Sequence, residues 1–280
     1  MSHTELVLLG TAGGPTPKAS RAAPAQAVLV GGAAYVIDCG NGVGRQLRLA
    51  GVPLDALRAV AITHHHSDHN ADLGTLLHLA WCANLASPVD VYGPPPLERM
   101  VTDFLSYAHT DVRTRMADEG RPPLAPLIRP RELDAPGLVH EDDLVRISAV
   151  RVEHPPMDAW AYRIDTWDRS IVISGDTAPS RALIELARGA DVLVHEVMRT
   201  ESIGVLLSAT NGSRLREHLV ASHTEVGDVG RVAAEAGVGT LVLSHFVPGD
   251  AGIPNEVWRA EAAKDFPAER IVVGADLMRV

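Results

Sequence analysis

The stretch Thr63-His64-His65-His66-Ser67-Asp68-His69-Asn70 holds four histidines and one carboxylate within six consecutive positions. It directly follows the apolar run 57–62, which is typical of a buried strand. Because only 13 of the 280 residues are histidine, chance should give this spacing in well under roughly one per cent of such chains. So dense a group of imidazoles and carboxylates predicts a metal site. The alternative is a solvated polar turn.

The composition is that of an ordinary globular chain, with 46% apolar and 21% charged residues. The net charge of −10 argues against a polyanionic partner, so we expect nucleic acid to be an unlikely substrate. No apolar run approaches the ~18 residues of a membrane span, so no membrane association is expected. The two cysteines, Cys39 and Cys82, lie far apart and suit a reducing compartment. Together with a start, Met1–Glu5, that lacks a secretory signal, they predict a cytoplasmic protein.

Histidines and carboxylates also recur where other predicted strands end. The pattern predicts strands at 5–10, 27–30, 34–38, 57–62, 89–92, 143–153, 160–165, 170–174, 191–194, 240–243 and 271–273. Side chains able to bind metal or transfer protons lie at or just after five strand ends: His64, His154, Asp176, Glu196 and His245. A lone histidine is more often packed or solvated, but five such strand ends predict one converging site.

One long segment, 109–136, has no clear periodicity because five prolines interrupt its second half. We expect it to be a lid over the site, with a passive surface loop as the alternative. No linker or short repeat divides the chain. Residues 1–280 are therefore predicted to form a single domain that carries this Pro-rich insertion.

The spacing His64-x-His66-x-Asp68-His69 resembles the first metal motif of the metallo-β-lactamase superfamily. The resemblance continues through a later histidine, an aspartate within Ser174–Thr177 and a late histidine. It implies an α/β fold of four layers, the αββα metallo-β-lactamase sandwich. It also implies two metal sites, one formed by His64, His66 and His154, the other by Asp68, His69 and His245, with Asp176 bridging both. The register of the motif leaves His65 out of either set.

The implied ligands contain no cysteine, so two zinc ions fit best, with iron or manganese as alternatives. Two metal ions about 3.5–4 Å apart can share a hydroxide, because coordination lowers the pKa of water to roughly 7. Asp38, at the end of a predicted strand, matches a position that usually supports the site or caps a turn, so we do not count it as a ligand. The expected reaction is hydrolysis by a metal-bridging hydroxide.

Further matches extend the resemblance to the ribonuclease Z and arylsulfatase-like branch. They lie at residues 8–15, 38–40, 161–164, 195–196 and 222–224. The resemblance implies that His223 is a general acid or an oxyanion donor, that Glu196 orients it, and that Asp68 is also catalytic. The alternative for His223 is an ordinary histidine near a helix N-terminus. A possible homodimer is implied by family analogy alone.

The chain departs from the tRNA-processing members of that branch, which carry an extended arm between the third-motif histidine and the bridging aspartate. Here one short predicted hairpin joins His154 to Asp176. This departure argues against tRNA and for a small-molecule substrate. Four apolar residues near the candidate site are expected either to line a pocket or to belong to the core. They are Met157, Trp160, Met198 and Phe246.

The sequence therefore predicts a dinuclear zinc hydrolase of a small-molecule ester. The ester classes that fit are a sulfate ester, a phosphodiester, a carboxylic ester and a lactone. One alternative is a ribonuclease Z-like RNA phosphodiesterase. The other is a non-catalytic metal-binding sensor of the same fold.

Overall fold

The computed structural model describes residues 3–280, in which two seven-stranded sheets face each other. The strands are β1 (Glu5–Gly10), β2 (Ala25–Val30), β3 (Ala33–Ile37), β4 (Leu57–Ala61), β5 (Val89–Gly93), β6 (Ile128–Glu132), β7 (Gly137–Glu141), β8 (Arg146–His154), β9 (Met157–Asp165), β10 (Ser170–Ile173), β11 (Val192–Met198), β12 (Thr240–Val247), β13 (Ile271–Val273) and β14 (Met278–Arg279). The strand order is β14-β1-β2-β3-β4-β5-β6 in the first sheet and β13-β12-β11-β10-β9-β8-β7 in the second.

Helices cover the outer face of each sheet. They are α1 (Val43–Leu49), α2 (Ser67–Asn70), α3 (Leu73–Cys82), α4 (Leu97–Asp118), α5 (Arg181–Leu186), α6 (Gly204–Ala209), α7 (Leu215–Ser222), α8 (Val226–Ala236) and α9 (Asn255–Ala262). Across residues 3–280, none of these helices combines the length and the apolar character needed to cross a bilayer.

Alternation along the strands creates the layers. In β1, Leu6 and Leu8 belong to the apolar cluster between the two sheets, whereas Val7 and Leu9 pack with the cluster under α1 and α3. Successive side chains of a strand point to opposite faces, so one short strand serves both cores. A third cluster joins the outer face of the second sheet to α5, α8 and α9. The predicted four-layer αββα sandwich is confirmed.

Two sets of parallel strands end at the same edge of the sandwich. In the first sheet β3, β4 and β5 run parallel, and in the second β10, β11 and β12 do so. Two hydrogen bonds hold the sheets together just before the histidine cluster, from Trp160 N to Thr63 O (2.9 Å) and from Tyr162 Oη to Ile62 O (2.8 Å). The loop that carries the histidines is thereby fixed against the second sheet.

The expectation of an irregular segment at 109–136 is wrong. Helix α4 continues to Asp118, and β6 adds an edge strand parallel to β5. The indole of Trp81 donates to Pro122 O (2.9 Å), which ties the intervening turn to α3. The prolines do not make the whole segment irregular. Pro130, for example, lies inside an edge strand, where a missing N–H is tolerated. The role of the segment as a lid stays a prediction.

Candidate metal centre

The first set of candidate ligands gathers where β4 and β8 end. His64 Nε2 lies 2.9 Å from His66 Nδ1, and His154 Nε2 lies 3.1 Å from the same atom. Asp176 Oδ2 is 3.8 Å from His64 Nε2. One ligand atom from each of these four residues lies within 4.8 Å of the others. This arrangement of ring nitrogens and a carboxylate could hold a metal ion.

The second set lies beside the first. His69 Nε2 and His245 Nε2 are 3.1 Å apart, and Asp68 Oδ2 lies 3.6 Å and 3.5 Å from them. Asp176 joins the two sets, since its Oδ2 is 3.4 Å from His69 Nε2 and its Oδ1 is 3.2 Å from His245 Nε2. The structure therefore brings together all seven predicted metal ligands, from four separate segments of the chain.

Protonation in the first set suits metal binding. Burial, followed by the charge of His69, holds the pKa of His64 well below its ordinary value. Burial, followed by His154, lowers the pKa of His66 to about 4. Both rings are therefore neutral at pH 7, which is the form of imidazole that binds metal ions.

The second set is rich in negative charge. Burial raises the pKa of Asp68, but the charge of His69 and contact with His245 outweigh it and bring that pKa to about 2. Burial likewise raises the pKa of Asp176, yet His245 and His69 hold it well below its ordinary value. The Oδ1 atom of Asp176 is buried without a hydrogen-bond partner among the described residues. Two ionised carboxylates, one of them incompletely paired, fit a site for cations.

Supporting groups aim the rings differently in the two sets. In the second set the Nδ1 atom of His69 donates to Asp38 Oδ2 (2.8 Å), and the other oxygen of Asp38 accepts from Thr63 N (2.8 Å). In the first set His154 Nδ1 donates to the backbone carbonyl of Ser222 (2.9 Å). Each contact leaves the Nε2 atom of its ring facing the other candidate ligands, as orienting groups do in metal sites.

Close backbone approach makes space for His245. A Cβ on Gly13 would lie 2.7 Å from Phe246 O and 3.1 Å from His245 Nδ1, so the loop after β1 passes this strand only because residue 13 is glycine. His245 itself has a φ of 47°, a left-handed conformation that interrupts the regular pairing of β12. Such a local departure from strand geometry redirects a side chain, here toward the second set.

The predicted His223–Glu196 pair is formed beside the metal ligands. His223 Nδ1 lies 3.3 Å from Glu196 Oε2, an ion-pair distance without good hydrogen-bond alignment, and 4.0 Å from Asp176 Oδ2. Glu196 Oε1 accepts from Thr224 N (2.8 Å), which fixes the carboxylate. Burial lowers the pKa of His223, but the charge of Glu196 outweighs it and raises the pKa to about 9. The ring therefore holds a proton at neutral pH.

His65 lies outside both sets. Its Nε2 atom faces Pro94 O at 2.7 Å, and its Nδ1 atom accepts from the amide of Asn70 at 3.0 Å. Both ring nitrogens therefore have partners away from the candidate metal ligands.

The proposed apolar pocket needs correction. Trp160 and Met198 are fully buried in apolar clusters and do not line the site, and Met157 is partly exposed at the β8–β9 turn. Phe246 is also buried, between Trp258 and the guanidinium of Arg21, where it borders a cavity of about 400 Å³. A residue next to a ligand in a strand points to the opposite face, which places Phe246 in the core.

Sequence reasoning missed His218, on α7. Its ring centroid lies 5.5 Å from that of His66 and 5.7 Å from that of His154. The available signal is the helical spacing of Leu215 and Leu219.

The chain is similar to known proteins over most of its length. The sequence pattern of the beta-lactamase superfamily domain matches residues 34–246. The ribonuclease Z of Mycobacterium sp. (strain KMS) is 37% identical over 99% of this chain and 95% of its own. The crystal structure of human tRNase Z, short form, covers 99% of this chain and 98% of its own with a TM-score of 0.71 and 19% identity. A metallo-beta-lactamase fold protein from Bacillus subtilis covers 100% of both chains with a TM-score of 0.71 and 21% identity.

These relatives overturn the expectation that nucleic acid is an unlikely substrate. That expectation rested on the net charge of −10 and on the short hairpin between His154 and Asp176. The net charge is a sum over the whole chain and says little about the charge at one surface. The family match, the identity to ribonuclease Z and the clustered ligands lead to one assignment. The chain belongs to the metallo-β-lactamase superfamily, in the branch of the ribonuclease Z proteins, and is a metal-dependent hydrolase that acts on ester bonds.

Proposed function

We propose that this protein is an RNA phosphodiesterase of the ribonuclease Z type. The observation that carries the proposal is the 37% identity to a ribonuclease Z over 99% of the chain. The paired ligand sets support it, because sites with two adjacent metal ions suit in-line displacement at phosphorus. A small-molecule ester alone, as the sequence predicted, has no comparable support.

Two zinc ions are part of this proposal. His64, His66 and His154 would hold one ion, Asp68, His69 and His245 would hold the other, and Asp176 is close enough to serve both sets. The donor set consists of imidazoles and carboxylates, which suit zinc better than magnesium or calcium. When bound, such ions polarise a phosphoryl oxygen and make water nucleophilic at neutral pH.

The basic groups near Asp68 support an anionic substrate. Lys18 and Arg21 line a cavity of about 150 Å³ that also includes Ser67 and Asp68. Arg21 is held in place by Thr11 Oγ1 (2.6 Å) and Gly274 O (3.0 Å). Fixed positive charge next to the site favours a polyanion locally, even though the whole chain carries a net charge of −10.

His223 and Glu196 take the proton-transfer role in this proposal. A protonated ring 3.3 Å from Glu196 can donate to the oxygen on which charge develops as the ester bond breaks. Glu196 holds the ring and keeps it charged. The role is either that of a general acid toward the leaving oxygen or that of a donor to a phosphoryl oxygen.

We also propose that residues 1–280 act as one hydrolase domain in the cytoplasm. Cys39 and Cys82 are both free thiols, and Cys39 is buried. Unpaired cysteines are typical of proteins that work in a reducing compartment.

A direct hydrolysis assay tests the function. The zinc-loaded protein is given a precursor tRNA transcript, an unstructured oligoribonucleotide and bis(4-nitrophenyl) phosphate, alongside aryl sulfate, aryl acetate and lactone substrates. We expect RNA cleavage that weakens as salt rises, because phosphate contacts release counterions. Metal analysis should give about two equivalents of zinc. Turnover of a sulfate ester, carboxylic ester or lactone with no RNA cleavage at any salt concentration would overturn the proposal.

A further inference from the structure

Helix α7 is fixed to the candidate metal centre at its C-terminal end. The carbonyl of Ser222 accepts the hydrogen bond from His154 Nδ1 (2.9 Å), and the hydroxyl of Ser222 donates to Pro155 O (3.0 Å). Two contacts from one residue leave the end of the helix little freedom relative to β8.

The remainder of α7 is held by a small apolar cluster. Leu219 is buried with Met198, Ile203 and Val247, and Leu215 packs against the same group. This cluster is separate from the three cores of the sandwich. It acts as an anchor for one helix, and the neighbouring stripe of the same helix carries His218 and Ser222 one turn apart.

His218 lies at the mouth of the site. Its ring centroid is 5.5 Å from that of His66, 5.7 Å from that of His154 and 6.2 Å from that of His223, in edge-on arrangements. It is half-buried and belongs to neither of the two sets of candidate ligands. The ring therefore contacts the candidate ligands from outside both sets, with part of its surface exposed to solvent.

Hydrogen bonding assigns the tautomer of His218. The hydrogen of the Ser222 hydroxyl is donated to Pro155 O, so the oxygen accepts from His218 Nδ1 at 3.4 Å. A neutral ring with its proton on Nδ1 has a lone pair on Nε2. In its neutral form His218 thus offers an acceptor nitrogen, Nε2, beside the candidate metal ligands.

An acceptor at this position selects for a donor on the substrate. The oxygens of a phosphodiester only accept hydrogen bonds, so they do not pair with a neutral acceptor nitrogen. In RNA the donor beside every phosphodiester is the ribose 2′-hydroxyl, which DNA lacks.

We propose that His218 accepts a hydrogen bond from the ribose 2′-hydroxyl next to the scissile phosphate and so distinguishes RNA from DNA. The inference rests on the RNA phosphodiesterase function proposed above. It makes His218 a specificity-determining residue that is distinct from the metal ligands and from His223.

The test compares two oligonucleotides that differ only in a 2′-hydroxyl beside the cleaved bond. We expect the zinc-loaded wild type to prefer the ribose form. H218F keeps an aromatic ring in contact with His66 and His154 but lacks the acceptor. It should lower kcat/KM for the ribose substrate about 5- to 10-fold, the size of one lost neutral hydrogen bond, and leave the deoxy substrate unchanged.

Matched variants separate recognition from packing. H218Q carries an amide near the position of Nε2 and should recover part of the ribose preference. V220A alters an exposed residue of the same helix and should change neither substrate. Hydrolysis of bis(4-nitrophenyl) phosphate, which has no hydroxyl, should be the same in all variants. As a measure independent of turnover, the ratio of ribose to deoxyribose affinity should fall when H218F is added to the slow H223Q protein, which is expected to keep its zinc.

Each outcome decides between the two proposals. Equal losses on both oligonucleotides, or an unchanged preference in H218F, overturn the role of His218 while the RNA phosphodiesterase stands. A wild-type protein that cleaves neither oligonucleotide overturns the proposed function itself, and the role of His218 with it.

Discussion

Two clusters of largely buried polar side chains both contain histidine and aspartate but differ in how these groups are paired. The candidate metal centre crowds histidine nitrogens and carboxylate oxygens together, and Asp176 Oδ1, Glu196 Oε2 and His245 Nδ1 are buried there without hydrogen-bond partners among the described residues. Between the sheets, Tyr35, Tyr92, His140 and Asp142 form a second cluster, the Asp142 network. There Tyr35 Oη donates to Asp142 Oδ2 (2.6 Å), and Tyr92 Oη lies 3.1 Å from His140 Nδ1.

The difference lies in what the partners are. In the Asp142 network hydroxyl donors and backbone amides meet the carboxylate, whose Oδ1 accepts from Leu144 N (2.8 Å) and Val145 N (2.9 Å). In the metal centre acceptors meet acceptors, which costs stability unless a cation lies among them. His140 Nε2 has no hydrogen bond in this network, although it lies 3.4 Å from Asp142 Oδ2. Pairing of the carboxylate oxygens therefore separates a site built for a ligand from one built for stability. Substitutions in the two clusters should change different properties.

The strongest contrast is expected from Asp176→Asn. Removing the charge shared by both ligand sets should reduce RNA cleavage by at least about 10³-fold, because several kcal/mol of metal-dependent stabilisation is lost. Bound zinc should fall below one equivalent. In the metal-free state the melting temperature should stay level or rise, since an incompletely paired buried carboxylate has been neutralised. Asp143→Asn, an exposed aspartate, is the control and should change neither property. Retained zinc with full activity would remove Asp176 from the site.

His223→Gln should reduce turnover without removing metal. Loss of a positioned proton donor typically lowers kcat about 10²- to 10⁴-fold. Zinc content should remain as in the wild type, because His223 lies beside the two ligand sets rather than within either set. Steady-state kinetics with parallel metal analysis separates this result from that of Asp176→Asn. A loss of zinc in this variant would instead make His223 a ligand.

The comparison of the two clusters also explains what the sequence can predict. His64, His66, Asp68 and His69 are fixed by spacing on one loop, and His154 and His245 by the ends of strands whose alternation is legible. Unpaired donors and acceptors are a property of three-dimensional contacts, so neither the Asp142 network nor the support of His154 by Ser222 is visible in the chain.

Two errors have definite physical causes. Phe246 lies next to His245 in sequence but faces the outer core of the second sheet, and Met198 lies two residues after Glu196 but is covered by the small apolar cluster under α7. Helix α7 was missed because it has only eight residues and is stabilised by a small tertiary cluster rather than by a long periodic pattern. His218 was missed with it.

Asp38→Asn tests a carboxylate that is paired, like Asp142, and that also supports the candidate metal centre. Asp38 is well paired, yet its partner His69 is a candidate ligand. We expect zinc affinity at one of the two sites to fall about 10- to 100-fold, as for other orienting carboxylates, while the other site is unchanged. Competition with a chromogenic chelator measures the two affinities. The ring of His154 is oriented by the backbone carbonyl of Ser222 instead of a side chain. Its orientation should therefore not change when Asp38 is substituted. Equal weakening of both sites would argue that Asp38 acts on the fold as a whole.

In the Asp142 network, Tyr35→Phe should change stability and leave activity alone. It removes the hydroxyl that donates to Asp142 and keeps the ring within the apolar cluster between the sheets. The expected loss is about 1–2 kcal/mol in the free energy of unfolding, measured by urea denaturation. RNA cleavage should stay within about twofold of the wild type at a temperature where both proteins are folded. A large loss of activity with an unchanged unfolding curve would mean that this cluster is coupled to the site.

The smallest expected effect is the pH dependence of the difference in unfolding free energy between the wild type and Tyr35→Phe. Burial raises the pKa of Asp142, but hydrogen bonds from Tyr35 and from the amides of Leu144 and Val145 outweigh it and leave the pKa below its ordinary value. A carboxyl whose pKa is depressed by folding contributes stability above its unfolded pKa of about 3.9 and loses that contribution as the pH falls below it. The stability gap between wild type and Tyr35→Phe should therefore be constant from about pH 7 to pH 5 and narrow below about pH 4. Taking the difference between the two proteins cancels the other carboxylates that titrate in this range. A gap that stayed constant to pH 3 would mean that the hydroxyl of Tyr35 stabilises the fold without the charge of Asp142, and the network would then be neutral hydrogen bonding rather than a charged pair.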